Sequence, residues 1–215
     1  ERSLGVRMGI IMDIPRMISP GEGDRIAKWA IERYGDGLIA LGLGGPEVGH
    51  PPQKFQSAFD RVRAEGIPCI LHAGETDGAE SIWNAIRVAD SQRIGHGVRA
   101  VEDPELMDYL REKQIPLEVC PSSNICLKVF PSFEEHSLPQ LLEHGLYITI
   151  NSDDPPMFNT TLTYEYLIGQ KNWGWDRARI EGLVYNAVNA TLLPSDEKEA
   201  MRLDFQQQLK QMSNI

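Results

Sequence analysis

The sequence predicts an α/β fold of consecutive parallel strand–helix units, on three observations. Short apolar runs alternate with longer segments of helical period along most of the chain. The short runs are continuously apolar rather than alternating, as expected of strands covered on both faces. Clusters of Gly, Pro, Asp and Ser punctuate the joins between them.

Taken in order, 6–14 reads as a strand, followed by the turn Ser19-Pro20-Gly21-Glu22-Gly23 and a helix through Ile26, Ala27, Ala30 and Ile31. Residues 38–43 form a second strand ending in Gly44-Gly45-Pro46, and Pro51-Pro52 opens a helix with Phe55, Phe59 and Val62 on one face. A third strand covers 67–73, and a helix follows over 80–89. The fourth strand is 93–97, and Asp103-Pro104 starts the next helix, with proline at its first position. Strands at 115–120 and 146–151 flank a short helix over 138–143, and from Thr161 onward the pattern is helical. The whole reads as one domain over 1–215. Two architectures satisfy it, a doubly wound open sheet and a (β/α)8 barrel. The phosphate-loop and G-x-G-x-x-G fingerprints are missing, since Gly42-Leu43-Gly44-Gly45 lacks the third glycine. Six strands in 215 residues fall short of a barrel's eight and its roughly 250 residues. The sheet is therefore either open or missing a piece. The chain starts without Met, carries no signal-peptide layout and opens almost directly into an apolar run, so the expectation is a start inside a larger domain.

Composition narrows the partners. With 21 basic against 31 acidic residues the net charge is −10, which argues against nucleic acid or an anionic membrane, both of which reward a basic patch. Apolar runs stay well below the length of a membrane-spanning helix. Three cysteines, Cys69, Cys120 and Cys126, make a poor disulfide framework and suit a reduced, cytoplasmic setting. A soluble enzyme for a small substrate is the expectation; the oligomeric state is open.

Ionisable residues gather at the C-terminal ends of the strands. The third ends Leu71-His72-Ala73-Gly74-Glu75, the fourth Ile94-Gly95-His96-Gly97, the fifth Cys120-Pro121-Ser122-Ser123-Asn124 and the sixth Asn151-Ser152-Asp153-Asp154-Pro155. Parallel strands finish at one mouth, where such folds keep their active sites. Two histidines with paired carboxylates suit a divalent metal, zinc first, with a position left open for water. A metal so held brings the pKa of its water towards neutrality. A further Glu would carry protons, and a non-ligand His would orient or deprotonate the water.

In this order and spacing HAGE at 72–75, RIGHGV at 93–98, CPSSN at 120–124 and NSDDP at 151–155 resemble the signature of the adenosine deaminase family, and Gly-Gly-Pro-Glu at 44–47 with Gly-His-Pro-Pro at 49–52 adds to the match. The resemblance implies a (β/α)8 TIM-type barrel of the metal-dependent hydrolase type, truncated here to about six strands. It implies one zinc ion per site, with His72 and Asp153 as ligands. Glu75 matches the acid that protonates the ring nitrogen beside the reacting carbon, and His96 the histidine that activates and holds the attacking water. Gly45 and Asp154 match the groups that bind purine nitrogens. The reaction so implied is hydrolytic deamination of a 6-aminopurine nucleoside, adenosine-like, to an inosine-like product and ammonia. Adenine and aminodeoxyfutalosine are the alternatives, and Gly44-Gly45 in place of a Ser-Ser-like pair leans towards a nucleoside.

Two departures stand out. The family's His-x-His motif, source of two further zinc ligands, is missing, and Gly42 stands where many members carry Asp. A non-catalytic fragment or paralogue acting as a binding module is therefore a competing class, and a carboxylated-lysine amidohydrolase a third, though no strand ends in Lys. His50, His136 and His144 read as structural. Cys120 reads as a buried strand-end thiol, and Asn124 and Ser122 as hydrogen-bonding the mouth or completing turns. Trp173, Trp175, Tyr164 and Tyr166 read as packing.

Overall fold

The computed structural model describes residues 6–212. Six strands, β1 (Ile10–Pro15), β2 (Leu38–Gly44), β3 (Cys69–Ala73), β4 (Arg93–His96), β5 (Leu117–Val119) and β6 (Ile148–Ile150), form one parallel sheet. Their spatial order is their chain order, β1 to β6. A doubly wound sheet reverses its strand order at a switch point, so the progressive winding is that of a barrel wall. The outermost strands, β1 and β6, are not paired with each other.

Helices α1 (Pro20–Arg33), α2 (Gln56–Ala64), α3 (Ala79–Ala89), α4 (Pro104–Lys113) and α6 (Leu138–Glu143) return the chain between strands. Two short helices, α5 (Pro121–Cys126) and α7 (Pro155–Phe158), follow β5 and β6 directly, and α8 (Leu162–Trp173), α9 (Arg177–Ala190) and α10 (Ser195–Met212) complete the chain. The starts are written locally. Ser19 and Glu22 form a capping box on α1, and Asp103 accepts from the backbone N–H of Glu105 and Leu106 at the start of α4. The strand expected over 6–14 begins only at Ile10. Its partner β2 begins at Leu38, so earlier residues have no neighbour to pair with. The segments 121–126 and 155–158, to which the sequence assigned no element, are helical, each with proline in its first turn, where a missing N–H costs nothing.

Alternation along the strands separates two faces. Leu41, Leu43, Leu71, Ile94, Leu117 and Ile148 are wholly buried in the apolar core. Between them Gly42, His72, Gly95 and Glu118 occupy the other face. Among the described residues no helix is long and apolar enough to cross a membrane.

One packing contact is tight enough to test. A Cβ added at Gly169 in α8 would meet the Trp175 ring at 1.9 Å, and that ring is buried and stacked against Trp173. Gly169→Ala is expected to destabilise the fold by about 1–3 kcal/mol through overpacking, read as a lower urea midpoint.

Candidate active site

The site is built at the C-terminal ends of β3 to β6. Register places His72 beside Gly95 and Ala73 beside His96. A Cβ on Gly95 would approach the His72 ring at 3.2 Å, so glycine lets the two histidines share this space. The imidazole centroids lie 5.5 Å apart. His96 Nε2 stands 3.6 Å from Glu75 Oε1 and 3.8 Å from Asp153 Oδ2. Ser123 at the start of α5 donates to Asp153 Oδ2 at 2.7 Å. Side chains from three strand ends thus meet here: His72, His96 and Asp153 border a cleft of about 360 Å³ together with Glu118, Cys120 and Leu162, and Glu75 approaches His96 from beside it.

Backbone strain marks the same place. His96 and Asp153 adopt left-handed conformations, φ 62° and 54°, which cost non-glycine residues about 1–3 kcal/mol and persist only where the surroundings enforce them. Three of the other four such residues, Asp90, Gln114 and Asn159, close helices, where this conformation is ordinary. His96 is the last residue of β4 and Asp153 lies three residues past β6, and their side chains approach to 3.8 Å.

The electrostatics separates the groups. Burial, then the Glu47 and Asp153 carboxylates, push Glu75 up to about 7, and its buried Oε1 has no hydrogen-bond partner. Burial and then the His72 ring lower His96 to about 4. Glu75 is therefore a carboxylic acid that holds its proton near neutrality, and His96 a neutral imidazole.

The donors fit zinc. His72 Nδ1 lies 3.1 Å from the Leu43 carbonyl, a contact that needs the proton on Nδ1 and leaves Nε2 free as a ligand atom. Asp153 adds a carboxylate, and His96, Cys120 and Asp153 present ligand atoms within 4.8 Å of one another. Cys120 is the weakest of these. Burial and then the surrounding carboxylates raise its thiol well above the ordinary value, and it donates to the Glu118 carbonyl. His72 and Asp153 make half of a four-ligand shell.

The other two expected site residues stand apart from this cleft. Gly45, at φ 95°, follows β2 beside the Arg16 backbone. Asp154 is the residue from which α7 starts, exposed, its carbonyl accepting from Met157 and Phe158. Gly42 is explained by its neighbour: a Cβ there would fall 1.8 Å from Asp13 Oδ1. A carboxylate does stand in this part of the face, carried by β1 rather than β2, with Oδ2 3.8 Å from His72 Nδ1.

Three supporting groups escaped the sequence reading. Glu47, almost wholly buried, accepts from the backbone N–H of Gly74, Glu75 and Thr76 at 2.8–2.9 Å and from the Ser81 hydroxyl at 2.5 Å. It clamps the loop that carries Glu75. Burial pulls its pKa upward, but the four hydrogen bonds outweigh this and hold it below the ordinary value. Arg16, also buried, donates to the carbonyls of His50 and His72 at 2.7 Å each, tying the end of β1 to that of β3. Glu165 of α8, wholly buried, accepts from Ser122 N–H and the Thr160 hydroxyl, fixing the start of α5. A buried carboxylate reads as a surface residue in sequence, because only tertiary structure brings its donors. The one available signal was the setting of Glu47 in a Gly-Gly-Pro turn at a strand end.

Comparison with known proteins agrees with this geometry. The family model described as adenosine deaminase matches residues 1–207. The chain is 44% identical to an aminodeoxyfutalosine deaminase of Streptomyces avermitilis over 163 residues, covering 76% of this chain and 46% of that protein. It is 39% identical to an adenine deaminase of Crocosphaera subtropica over 198 residues, covering 92% of this chain and 60% of that one. A crystal structure of adenine deaminase from Arthrobacter aurescens superposes with a TM-score of 0.92 at 28% identity, over 98% of this chain and 64% of that one. The chain thus spans about half to three-fifths of the length of these two relatives. With a family model matched along nearly its whole length and a barrel-wall fold shared with a deaminase, the chain belongs to the adenosine deaminase family.

Proposed function

We propose that the protein containing this chain hydrolytically removes the exocyclic amine of a purine, with aminodeoxyfutalosine the leading substrate, adenine the second and adenosine the third. The observation that carries the chemistry is the convergence of two carboxylates on one histidine, with His96 Nε2 within 3.8 Å of both Glu75 and Asp153 and the His72 ring 5.5 Å from that of His96. Aminodeoxyfutalosine leads on the single identity of 44%, although a second aminodeoxyfutalosine deaminase at 38% falls just below the adenine deaminases at 39–41%. Both substrates rank above adenosine because the relatives compared act on these two. This order replaces the adenosine-first expectation from sequence. In this reading residues 1–215 are the C-terminal part of a single barrel domain, and the rest of that barrel brings further ligands.

His72 Nε2 and the Asp153 carboxylate would hold the zinc. When bound, the metal supplies an acidified water near neutral pH. Glu75 delivers its proton to the ring nitrogen next to the reacting carbon, drawing electrons away from that carbon as oxygen adds. His96, with Nε2 3.6 Å from Glu75 Oε1 and 3.8 Å from Asp153 Oδ2, orients the incoming oxygen. The two hydrogens that the water oxygen loses end up one on the ring nitrogen and one on the departing amine, both by way of the Glu75 carboxyl, so ammonia leaves and the ring keeps a carbonyl. Gly45 N–H and the Asp154 carboxylate bind the purine's other nitrogens and set its orientation.

The test is ammonia release by the zinc-loaded full-length protein from aminodeoxyfutalosine, adenine and adenosine. Aminodeoxyfutalosine is expected to give the highest kcat/KM. A higher value for adenine reverses the substrate order, and no ammonia from any of the three moves the protein to the binding-module class.

A further inference from the structure

Behind His96 runs a chain of three buried polar side chains whose direction is set by one backbone group. Leu138 N–H, at the start of α6, lies 3.0 Å from His136 Nδ1. An amide can only donate, so Nδ1 accepts and the neutral His136 ring carries its proton on Nε2. That nitrogen lies 3.2 Å from Asn124 Oδ1. The Asn124 amide nitrogen then faces His96 Nδ1 at 3.3 Å. Because that amine can only donate, His96 Nδ1 accepts. Turning the Asn124 amide over is excluded, since it would set an N–H donor against a His136 nitrogen that already carries a proton. His136, Asn124 and His96 are 4%, 0% and 3% exposed, so water does not compete for these bonds. Packing fixes His136 in place, between the Phe130 ring at 4.5 Å and Trp173 at 5.7 Å.

We propose that Asn124 and His136 are positioning residues that lock His96 as its Nε2–H tautomer, with that hydrogen directed into the gap between Glu75 Oε1 and Asp153 Oδ2. His96 then meets the attacking oxygen as a hydrogen-bond donor. It holds that oxygen in place and stabilises the negative charge that develops on it, and it does not take a proton through Nε2. Proton delivery stays with Glu75. This assignment rests on the deaminase reading for its catalytic consequence, but the tautomer itself is a property of the protein without substrate. It also gives a role to His136, which the sequence offered only as a structural histidine, and to the asparagine of the CPSSN motif.

The experiment is ¹⁵N NMR of the histidine side chains in the full-length, zinc-loaded protein, assigned with a His96→Gln variant, together with kinetics of Asn124→Asp. In the unaltered protein His96 is expected to show a bare Nδ1 and a protonated Nε2. Asp at 124 has the size of Asn but only accepts, so it draws a proton onto His96 Nδ1. This variant is expected to move the Nδ1 resonance to the protonated range and lower kcat by about 100-fold with KM and zinc content little changed. A protonated, donating Nδ1 in the unaltered protein overturns the proposal even if Asn124→Asp does not fold. So does an Asn124→Asp protein that folds with unchanged kcat. A correct tautomer in a protein that deaminates no purine sinks the functional reading alone.

Discussion

Glu75→Gln is expected to lower kcat by about 10³-fold while leaving zinc content and KM nearly unchanged. Glutamine preserves the size of the side chain and its place in the 74–76 loop, but it has no acidic proton to give to the ring nitrogen. Its place in the cleft is held by backbone bonds to Glu47, which do not depend on the side chain at 75. The direction of the pH profile follows from the same group. The unaltered enzyme needs Glu75 protonated, so kcat/KM falls on the alkaline side as pH rises through the Glu75 pKa. In the metal-free site burial and two neighbouring carboxylates put that value at about 7. Unaltered turnover in the Gln variant removes Glu75 from proton transfer.

The second large effect is expected at a residue that touches no substrate. Glu47→Ala leaves three backbone N–H groups and the Ser81 hydroxyl without their acceptor. Each buried donor so orphaned costs about 1–3 kcal/mol, and water entering the space left by the side chain recovers part. A net loss of about 4 kcal/mol is expected in urea unfolding of the full-length protein, with kcat falling because the loop that presents Glu75 loosens. Glu47→Gln separates charge from shape. Its amide nitrogen would point a donor at other donors, so it is expected to be damaged nearly as much. The pH dependence has a definite sign. The folded-state pKa of Glu47 lies below the ordinary 4.5, so its contribution is complete above that value and is lost as pH falls through the depressed one. Acid sensitivity in that range should weaken in the Gln variant. A Gln variant as stable and active as the unaltered protein would show that the clamp contributes little.

The legibility of this protein follows the range of the interactions involved. The strand order was open in the sequence, because periodicity reports which faces are apolar but not which strands are neighbours. Hydrogen bonding between successive strands settled it. The short helices after β5 and β6 were not anticipated, since four to six residues cannot display a helical period. Among the site residues, His72, Glu75, His96 and Asp153 were readable as strand-end groups, and the structure gathers them. The left-handed turns at His96 and Asp153 were not readable, since Asp and His enter that region more often than most residues but still do so in only a small minority of positions. Arg16 and Glu165 gave no signal of burial, and Glu47 only its place in a Gly-Gly-Pro turn, because in sequence a charged residue looks the same on a surface and in a core.

By itself the sequence determined the alternation of strands and helices, the ends at which chemistry collects, and the family whose motifs those ends match. Tertiary structure alone decided which carboxylate has its pKa raised, which buried polar chain stands behind His96, and what holds the Glu75 loop in place. The division has a physical cause. Strand and helix patterns arise from neighbours along the chain, whereas a pKa, a tautomer or a buried clamp is set by groups that meet only when residues tens of positions apart are folded together.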